Sequence, residues 1–391
     1  MLIRRFFVTM RHMKSQLGQF FTTNSDYILQ GLADFVKGKN ITDPFAGNQN
    51  LIQWAQKNGC KKIIGFDCDE KYVDGKEVLY DDSINSPKTY KFVLTNPPYL
   101  HKNKADILTK NKFFSGKNAV FEDLYQVSIF SAINCEEGIF IVPLNFLSAE
   151  NSQRIRDIFF DKFRIIKLNV FTHQVFDDTT YNVVAFYFKK KKAGESEKNK
   201  ISATIFPEKK KIEFIIEKKF GWQLGGNFLN KVRKTGNRLK IFRLTEEFLK
   251  PGDQAVPLAF QNIKYKQNFK IDKGVKEVLE RNILLLRAID SKNGKKIQLE
   301  DIRNYGVHGL VGKNTSRNMA HIIFGADVSI DEQKKMMDEL NKELIENRNR
   351  YFSFFLTNFR DNGRKRVSFD FIYKLLNYIY EQRNQRQQAL F

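Results

Sequence analysis

The stretch Phe92-Val-Leu-Thr-Asn96-Pro97-Pro98-Tyr99 decides the fold that we predict for this chain. Phe92-Val93-Leu94 is a short apolar run of the kind that forms a buried strand. Two successive prolines cannot donate hydrogen bonds to a sheet, so this strand ends beside Asn96. The chain therefore turns a rigid corner at the carboxyl end of a strand, where open α/β sheets bind their ligands.

The groups at this corner suit a planar heterocycle that carries an amine. The side-chain oxygen of Asn96 and the carbonyl of Pro97 can both accept hydrogen bonds from one exocyclic amine. The ring of Tyr99 can stack on the base that carries this amine, and Pro98 keeps the backbone rigid. A proline-rich turn that binds nothing is the alternative interpretation.

Three earlier segments also end in acidic residues. They are Ile41 to Asp43, Lys62 to Asp67 and Val78 to Asp81. Helical patterns between such segments predict a doubly wound sheet with its site along one edge. Ahead of them, the pattern of Tyr27 to Val36 predicts a helix.

The position of each aspartate indicates which group of a ligand it can bind. The turn Asp43-Pro44-Phe45-Ala46-Gly47 is not GxGxxG, so it does not specifically indicate a dinucleotide pyrophosphate. Asp43 suits a cationic amino group, directly or through water. Asp67 lies about 20 residues after the first turn, where an acid in a βαβ unit binds ribose hydroxyls. Asp81 suits an adenine amino group.

Composition narrows the class of protein. The chain has 391 residues, enough for two domains, and 66 Lys and Arg against 44 Asp and Glu, a net charge of +22. Such an excess favours a polyanionic partner, most simply nucleic acid. The three cysteines and five histidines form no zinc-type spacing, so we expect no metal site. We expect a cytoplasmic protein, because no apolar run is long enough to span a membrane and no signal-peptide pattern begins the sequence.

The ordered motifs resemble S-adenosylmethionine-dependent N6-adenine DNA methyltransferases of the gamma group, the restriction-modification type that carries the NPPY motif. The resemblance rests on Gly18-Gln-Phe-Phe-Thr22, Asp43 to Gly47, Gly65-Phe-Asp67, Asp81 and Asn96 to Tyr99, in that order. NPPY alone also occurs in protein glutamine methyltransferases. The lead-in motif together with NPPY is more specific.

The resemblance implies a set of site residues. It places S-adenosylmethionine against Phe21, Thr22, Asp43, Phe45, Gly47, Asp67, Asp81 and Asn96. It makes Asn96, Pro97, Pro98 and Tyr99 catalytic, in a Rossmann-like methyltransferase domain. It also implies a hairpin over residues 171–188, in which Phe176 contacts the flipped base opposite Tyr99, with Tyr181 as a competitor.

A charged run marks the domain boundary that we predict. Residues 189–200 contain six lysines and lack apolar periodicity. We therefore predict a methyltransferase domain at 1–190, a charged linker at 191–200 and an α+β DNA-recognition domain at 201–391. In the last part, residues 327–351 and 369–380 have helical patterns, and residues 231–238, 305–318 and 360–366 are candidates for contacts with DNA.

These inferences predict a site-specific methyltransferase that acts on N6 of a flipped adenine in double-stranded DNA without a metal. A cognate restriction endonuclease, encoded separately, is a candidate partner, because no nuclease-like segment is recognisable. An RNA adenine or protein glutamine methyltransferase keeps the same chemistry and changes the substrate. An inactive nucleic-acid-binding protein with this fold is the alternative from another class.

Overall fold

The computed structural model describes residues 18, 20–176, 182–192, 194–291, 294–358 and 364–388. Within these ranges the chain divides into two compact units. The first ends at Gly226, and the second begins at Asn227.

The first unit contains a nine-stranded sheet in the order β3-β2-β1-β4-β5-β7-β6-β8-β9. Strands β1 to β5 are parallel, β7 is antiparallel to both β5 and β6, β8 is parallel to β6, and β9 is antiparallel to β8. The strand order reverses between β1 and β4, which makes a switch point of the kind that binds ligands. The predicted Rossmann-like doubly wound sheet is confirmed. Its strands are Asn40–Asp43, Lys62–Asp67, Val78–Tyr80, Tyr90–Thr95, Cys135–Pro143, Phe163–Phe171, Val183–Lys190, Lys198–Phe206 and Lys210–Glu217 for β1 to β9.

Helices connect these strands, but the helix predicted for residues 27–36 is wrong. Only a single turn forms there, α1, which ends at Ile28, and a short 3-10 turn follows at Ala33–Phe35. Gly31 lies between them with φ +73°, a conformation that a right-handed helix excludes. The helices of this unit are Ser25–Ile28, Asn50–Lys57, Ile107–Phe113, Leu124–Ala132, Asn145–Ser148 and Gln153–Lys162 for α1 to α6.

Phenylalanine rings fill much of the core beneath β5 and β7. Phe159 of α6 is fully buried, and its ring centroid lies 5.1 Å from that of Phe188 and 5.8 Å from that of Phe186. Phe140 lies 4.6 Å from Phe188. Much of the high phenylalanine content therefore stabilises the sheet that positions the corner at Asn96.

The unit boundary differs from the one predicted at residues 191–200. Strand β8 begins at Lys198 and pairs with β6, and β9 completes the same sheet. The charged run is therefore a connection within the sheet, and the boundary lies between Gly226 and Asn227. The lysines of this run suggested a solvated linker. They occur here because β9 is the edge strand of the sheet and β8 lies next to it, so alternate side chains of both strands face water.

The second unit combines helices with small sheets, which confirms the predicted α+β class. A four-stranded sheet has the order β10-β16-β13-β14, and a three-stranded sheet has the order β12-β11-β15. The helices of this unit are Gly226–Arg233, Lys273–Arg281, Ile330–Arg350 and Phe369–Gln388 for α7 to α10, with α7 starting at the boundary. The two helices predicted within residues 327–351 and 369–380 form, as α9 and α10. Its strands are Ile241–Arg243, Pro251–Phe260, Asn262–Ile271, Leu284–Arg287, Gln298–Asp301, Gly309–Val311, Met319–Phe324, Thr357–Asn358 and Lys365–Arg366 for β10 to β18.

The main core of the second unit lies between the four-stranded sheet and its two long helices. Leu284 and Ile322 of the sheet and Leu340 and Leu375 of the helices are fully buried in one cluster. In the described parts of the chain, no helix has both the length and the apolar character needed to cross a membrane.

Candidate active site

The carboxyl ends of β1, β2, β3 and β4 meet at one cavity of about 760 Å³, including its open mouth. The cavity lies at the switch point between β1 and β4. All eight residues predicted to bind the cofactor line it: Phe21, Thr22, Asp43, Phe45, Gly47, Asp67, Asp81 and Asn96. Pro98 lines it as well.

Asp43, at the end of β1, is fully buried. Its Oδ1 accepts hydrogen bonds from Thr95 Oγ1 at 2.7 Å and from the backbone N–H of Phe45 at 3.1 Å. Its Oδ2 has no hydrogen-bond partner. Burial raises the pKa of Asp43 to about 7. A buried carboxylate oxygen without a partner is costly, and a cationic ligand in the cavity would satisfy it.

Asp67, at the end of β2, is oriented by two backbone groups. Its Oδ2 accepts from the N–H of Gly47 and its Oδ1 from the N–H of Asp69, both at 2.8 Å. Burial raises its pKa, although these two bonds oppose the shift. Each carboxylate oxygen can accept a second hydrogen bond, so Asp67 retains acceptor sites for hydroxyl groups.

Asp81 follows β3 and is tied to neighbouring groups. Its Oδ2 forms an ion pair with Lys88 and accepts a hydrogen bond from the Ser83 hydroxyl at 3.2 Å. Its backbone N–H donates to the carbonyl of Asp67, which joins the ends of β2 and β3. Any contact between Asp81 and an adenine amine would therefore use Oδ1.

The amide of Asn96 is held in one orientation. Its Nδ2 donates to the carbonyl of Phe20 at 2.8 Å and to Thr22 Oγ1 at 3.1 Å. Its Oδ1 lies 2.5 Å from the hydroxyl of Tyr99, which donates to it. The lead-in segment and the corner therefore form one hydrogen-bonded structure.

Gly18 explains why the lead-in motif starts with glycine. The N–H of Tyr99 donates to the carbonyl of Gly18 at 2.8 Å. Gly18 has φ +61°, and a Cβ there would lie 2.6 Å from the carbonyl oxygen of Tyr99. Only glycine allows both this conformation and this approach.

Tyr99 and Phe176 are buried and do not line the cavity with Asn96. The exposed fraction is 4% for Tyr99 and 1% for Phe176. The Tyr99 ring packs against Phe20 with centroids 5.5 Å apart. In this conformation neither ring presents a free face to a base, so their stacking role stays a prediction. Tyr181, the competitor of Phe176, lies outside the described residues.

The remaining lining of the cavity escaped the sequence analysis. It includes Asn50, Cys68 and Phe113. Phe113 ends α3, 14 residues after the NPPY motif, and no local signal indicates that the chain folds back there.

Across the described ranges, no three His, Cys, Asp or Glu side chains are grouped so as to hold a metal ion.

A comparison with protein families bears on this site. Residues 5–176 match the Eco57I restriction-modification methylase family. The match covers less than half of the chain, but it includes every predicted site residue from Phe21 to Phe176. It supports a methylase of the restriction-modification type in this part of the chain. No curated protein matches the sequence.

Solved structures of related fold share little sequence with this chain. The type IIL restriction-modification enzyme MmeI, solved in complex with DNA, is 12% identical over 90% of this chain and 64% of its own, with a TM-score of 0.48. The type IIG restriction endonuclease BpuSI is 10% identical over 88% and 56%, with a TM-score of 0.45. A modification subunit of a putative type I restriction enzyme from Vibrio vulnificus YJ016 is 14% identical over 69% and 62%, with a TM-score of 0.39. This chain spans less than two thirds of each.

Proposed function

We propose that this chain transfers a methyl group from S-adenosylmethionine to N6 of an adenine in double-stranded DNA. The observation that carries the proposal is the single cavity that joins the acids at three strand ends to Asn96 of the NPPY corner. The match to a restriction-modification methylase family supports DNA as the substrate. The second unit would then recognise the target sequence, and a cognate restriction endonuclease is a candidate partner.

The cavity residues fit the proposed cofactor. When bound, S-adenosylmethionine supplies a methyl group that is already activated by the sulfonium. Asp43 would receive the amino group of the cofactor, because its buried Oδ2 has no partner among the described residues. Asp67 would bind the ribose hydroxyls through its remaining acceptor sites. Thr22 and Asp81 would complete the binding surface.

The corner residues would position the base. Hydrogen bonds from the adenine amine to Asn96 Oδ1 and the carbonyl of Pro97 draw its lone pair out of conjugation and direct it at the methyl group. This is catalysis by placement and electrostatics, which needs no covalent enzyme intermediate. Rotating the base out of the duplex costs a few kcal/mol. Stacking on Tyr99, opposite Phe176, would offset about 1–3 kcal/mol of this cost.

Binding of a base requires a local change at this corner. The ring of Tyr99 is 4% exposed and packs against Phe20. Phe20 must therefore move away before a base can stack there. Asn96 donates to the backbone carbonyl of Phe20, so a movement of the Phe20 side chain alone would leave the amide of Asn96 bonded.

Transfer of labelled methyl from S-adenosylmethionine to genomic DNA, total RNA and a protein release factor tests the proposal. We expect label as N6-methyladenine in DNA with the wild-type chain and none with Asn96→Ala. Asn134→Ala is the matched control, because this exposed asparagine precedes β5 at the opposite edge of the sheet. Circular dichroism and thermal unfolding of Asn96→Ala show whether the variant still folds, because Asn96 itself lines the cofactor cavity. Label in RNA or protein, or in no substrate, would overturn the proposal.

A further inference from the structure

Strand β12 carries a row of lysines along an open sheet edge. It is the outermost strand of the three-stranded sheet in the second unit. Between Asn262 and Ile271 it contains Lys264, Lys266 and Lys270 and no acidic residue. All three lysines are exposed.

Lys266, Asn268 and Lys270 lie on one face of the strand, because side chains alternate along the part that pairs regularly with β11, whereas Lys264 lies in an irregular stretch between Asn262 and Lys266. The opposite face is apolar, where Phe269 pairs with Val256 of β11 and both pack with Leu258 and Ile271 in one core cluster. On the same face as Lys266 and Lys270, Asn268 is exposed and lies between them.

The residues across from this face are small and uncharged. Lys270 pairs with Ala255, Asn268 with Pro257 and Lys266 with Ala259. Ala255 is exposed and Pro257 is half-buried, whereas Ala259 is buried in a core cluster. The exposed long side chains of this face therefore belong to β12. We call Lys266, Asn268 and Lys270, together with the neighbouring exposed Lys264, the lysine face.

Protection of a sheet edge by charge does not explain the lysine face well. Lysines often guard exposed edges against aggregation. The edge pair of the first unit shows how this chain does so with both signs of charge. There, Lys200 of β8 lies 2.8 Å from Glu213 of β9, and Lys198 lies 3.6 Å from Glu217. Among the described residues, no acidic side chain forms an ion pair with a lysine of the lysine face.

The spacing of residues along β12 is close to the spacing of phosphates along the axis of a duplex. Successive residues in a strand rise about 3.4 Å, so Lys266 and Lys270 lie about 14 Å apart along its regular part. Each strand of B-DNA carries one phosphate per about 3.4 Å of helix axis. A strand that runs along a duplex can therefore set Lys266 and Lys270 against phosphates about four base pairs apart. Asparagine can bind the edge of adenine in the major groove.

We infer that the lysine face binds double-stranded DNA, with its three lysines on phosphates and Asn268 on a base edge. The inference rests on the proposed function for its substrate and adds the surface that holds it. The lysines supply affinity that does not depend on sequence, because phosphates are alike at every position. Asn268 supplies part of the choice of target site.

Salt dependence of DNA binding tests the lysines. The full chain is titrated with a random-sequence 30-base-pair duplex at several salt concentrations. Replacing Lys264, Lys266 and Lys270 with alanine should reduce the slope of log affinity against log salt by about 2 to 3 units. The matched control replaces Lys334, Lys335 and Lys342, which are exposed on the acid-rich helix α9 of the same unit. An unchanged slope, or an equal loss in the control, would overturn the inference.

A methylome measurement tests Asn268. Sites methylated in bacterial DNA by wild type and Asn268→Ala are mapped by single-molecule sequencing. The variant should methylate additional sites that differ from the wild-type site at one position, while its salt slope stays unchanged. An identical set of sites would overturn the base-reading role. If the wild-type chain methylates no DNA, the proposed function fails, while the salt titration still decides whether the lysine face binds a duplex.

Discussion

Replacing Asp43 with asparagine should stabilise the free protein and weaken its binding of the cofactor. Burial raises the pKa of Asp43 to about 7, whereas an unfolded aspartate titrates near 3.9. Between these values the folded chain holds a proton that the unfolded chain has released. Stability therefore falls as the pH rises through this window, and the loss is complete above pH 7. A shift of about three pKa units, at about 1.36 kcal/mol each, lowers the free energy of unfolding by about 4 kcal/mol.

The substitution should recover part of this loss. The side-chain oxygen of the asparagine can keep the hydrogen bonds from Thr95 Oγ1 and the N–H of Phe45. Its Nδ2 takes the position of Oδ2, which has no partner. An unpaired buried amide costs about 1–3 kcal/mol, so the net gain at pH 8 should be about 1–3 kcal/mol. At pH 4 the carboxyl is protonated in the folded chain and about half protonated in the unfolded chain, so little of the loss remains and this gain should disappear.

The affinity for S-adenosylmethionine should change in the opposite direction. A cationic amino group binds the ionised carboxylate, so below pH 7 a proton must leave Asp43 when the cofactor enters. The wild-type affinity should therefore fall about tenfold per pH unit as the pH decreases below 7. The asparagine variant should bind weakly at every pH, with no such dependence.

Urea unfolding at pH 4 and pH 8 and titration calorimetry between pH 6 and pH 8.5 measure the two effects. Calorimetry in buffers of different ionisation enthalpy counts the proton released on binding at low pH. A wild-type affinity that is constant from pH 6 to pH 8 would refute the reasoning. So would an asparagine variant that binds the cofactor as tightly as the wild type at pH 8.

Two further substitutions test local packing. Gly18→Ala should abolish methyl transfer, because its Cβ would lie 2.6 Å from the Tyr99 carbonyl oxygen; the labelled-methyl assay measures this. Gly38→Ala shares a positive φ, +70°, but its Cβ meets nothing within 4 Å, so it should keep activity. Arg348→Met should cost about 3–5 kcal/mol in urea unfolding, since it leaves the buried carboxylate of Asp290 without the guanidinium that lies 2.6 Å from it. The double variant with Asp290→Leu should be much less destabilised, and equal losses would contradict this account of the pair.

The sequence predicted the cavity well because strand ends are local features. An acid or amide directly after an apolar run must lie at the carboxyl edge of the sheet, and parallel strands bring these edges together. Asp43, Asp67 and Asn96 were therefore placed correctly relative to one another without knowledge of the packing. The lead-in at Thr22 was placed only by resemblance, since its contact with Asn96 spans 74 residues.

Features that depend on packing or on sheet edges were not predictable in this way. The burial of Tyr99 depends on contacts with Phe20 and Tyr125, whose rings lie 5.5 and 6.4 Å away. The boundary at Gly226 was missed because β8, which lies next to the edge strand β9, begins inside the charged run. The lysine face did have a signal, since residues 263, 265, 269 and 271 are apolar or aromatic at strand spacing.

The hydrogen bonds of Asn96 determine which kind of group can approach its amide. Both N–H groups of Nδ2 are used, by the carbonyl of Phe20 and by Thr22 Oγ1. Oδ1 can accept two hydrogen bonds, and the Tyr99 hydroxyl supplies at most one. That hydroxyl also lies 2.8 Å from the carbonyl of Ile141, to which its single proton can turn instead. While these bonds hold, the amide can accept but cannot donate, so it favours an exocyclic amine, as adenine carries at N6, over a base carbonyl at the same position.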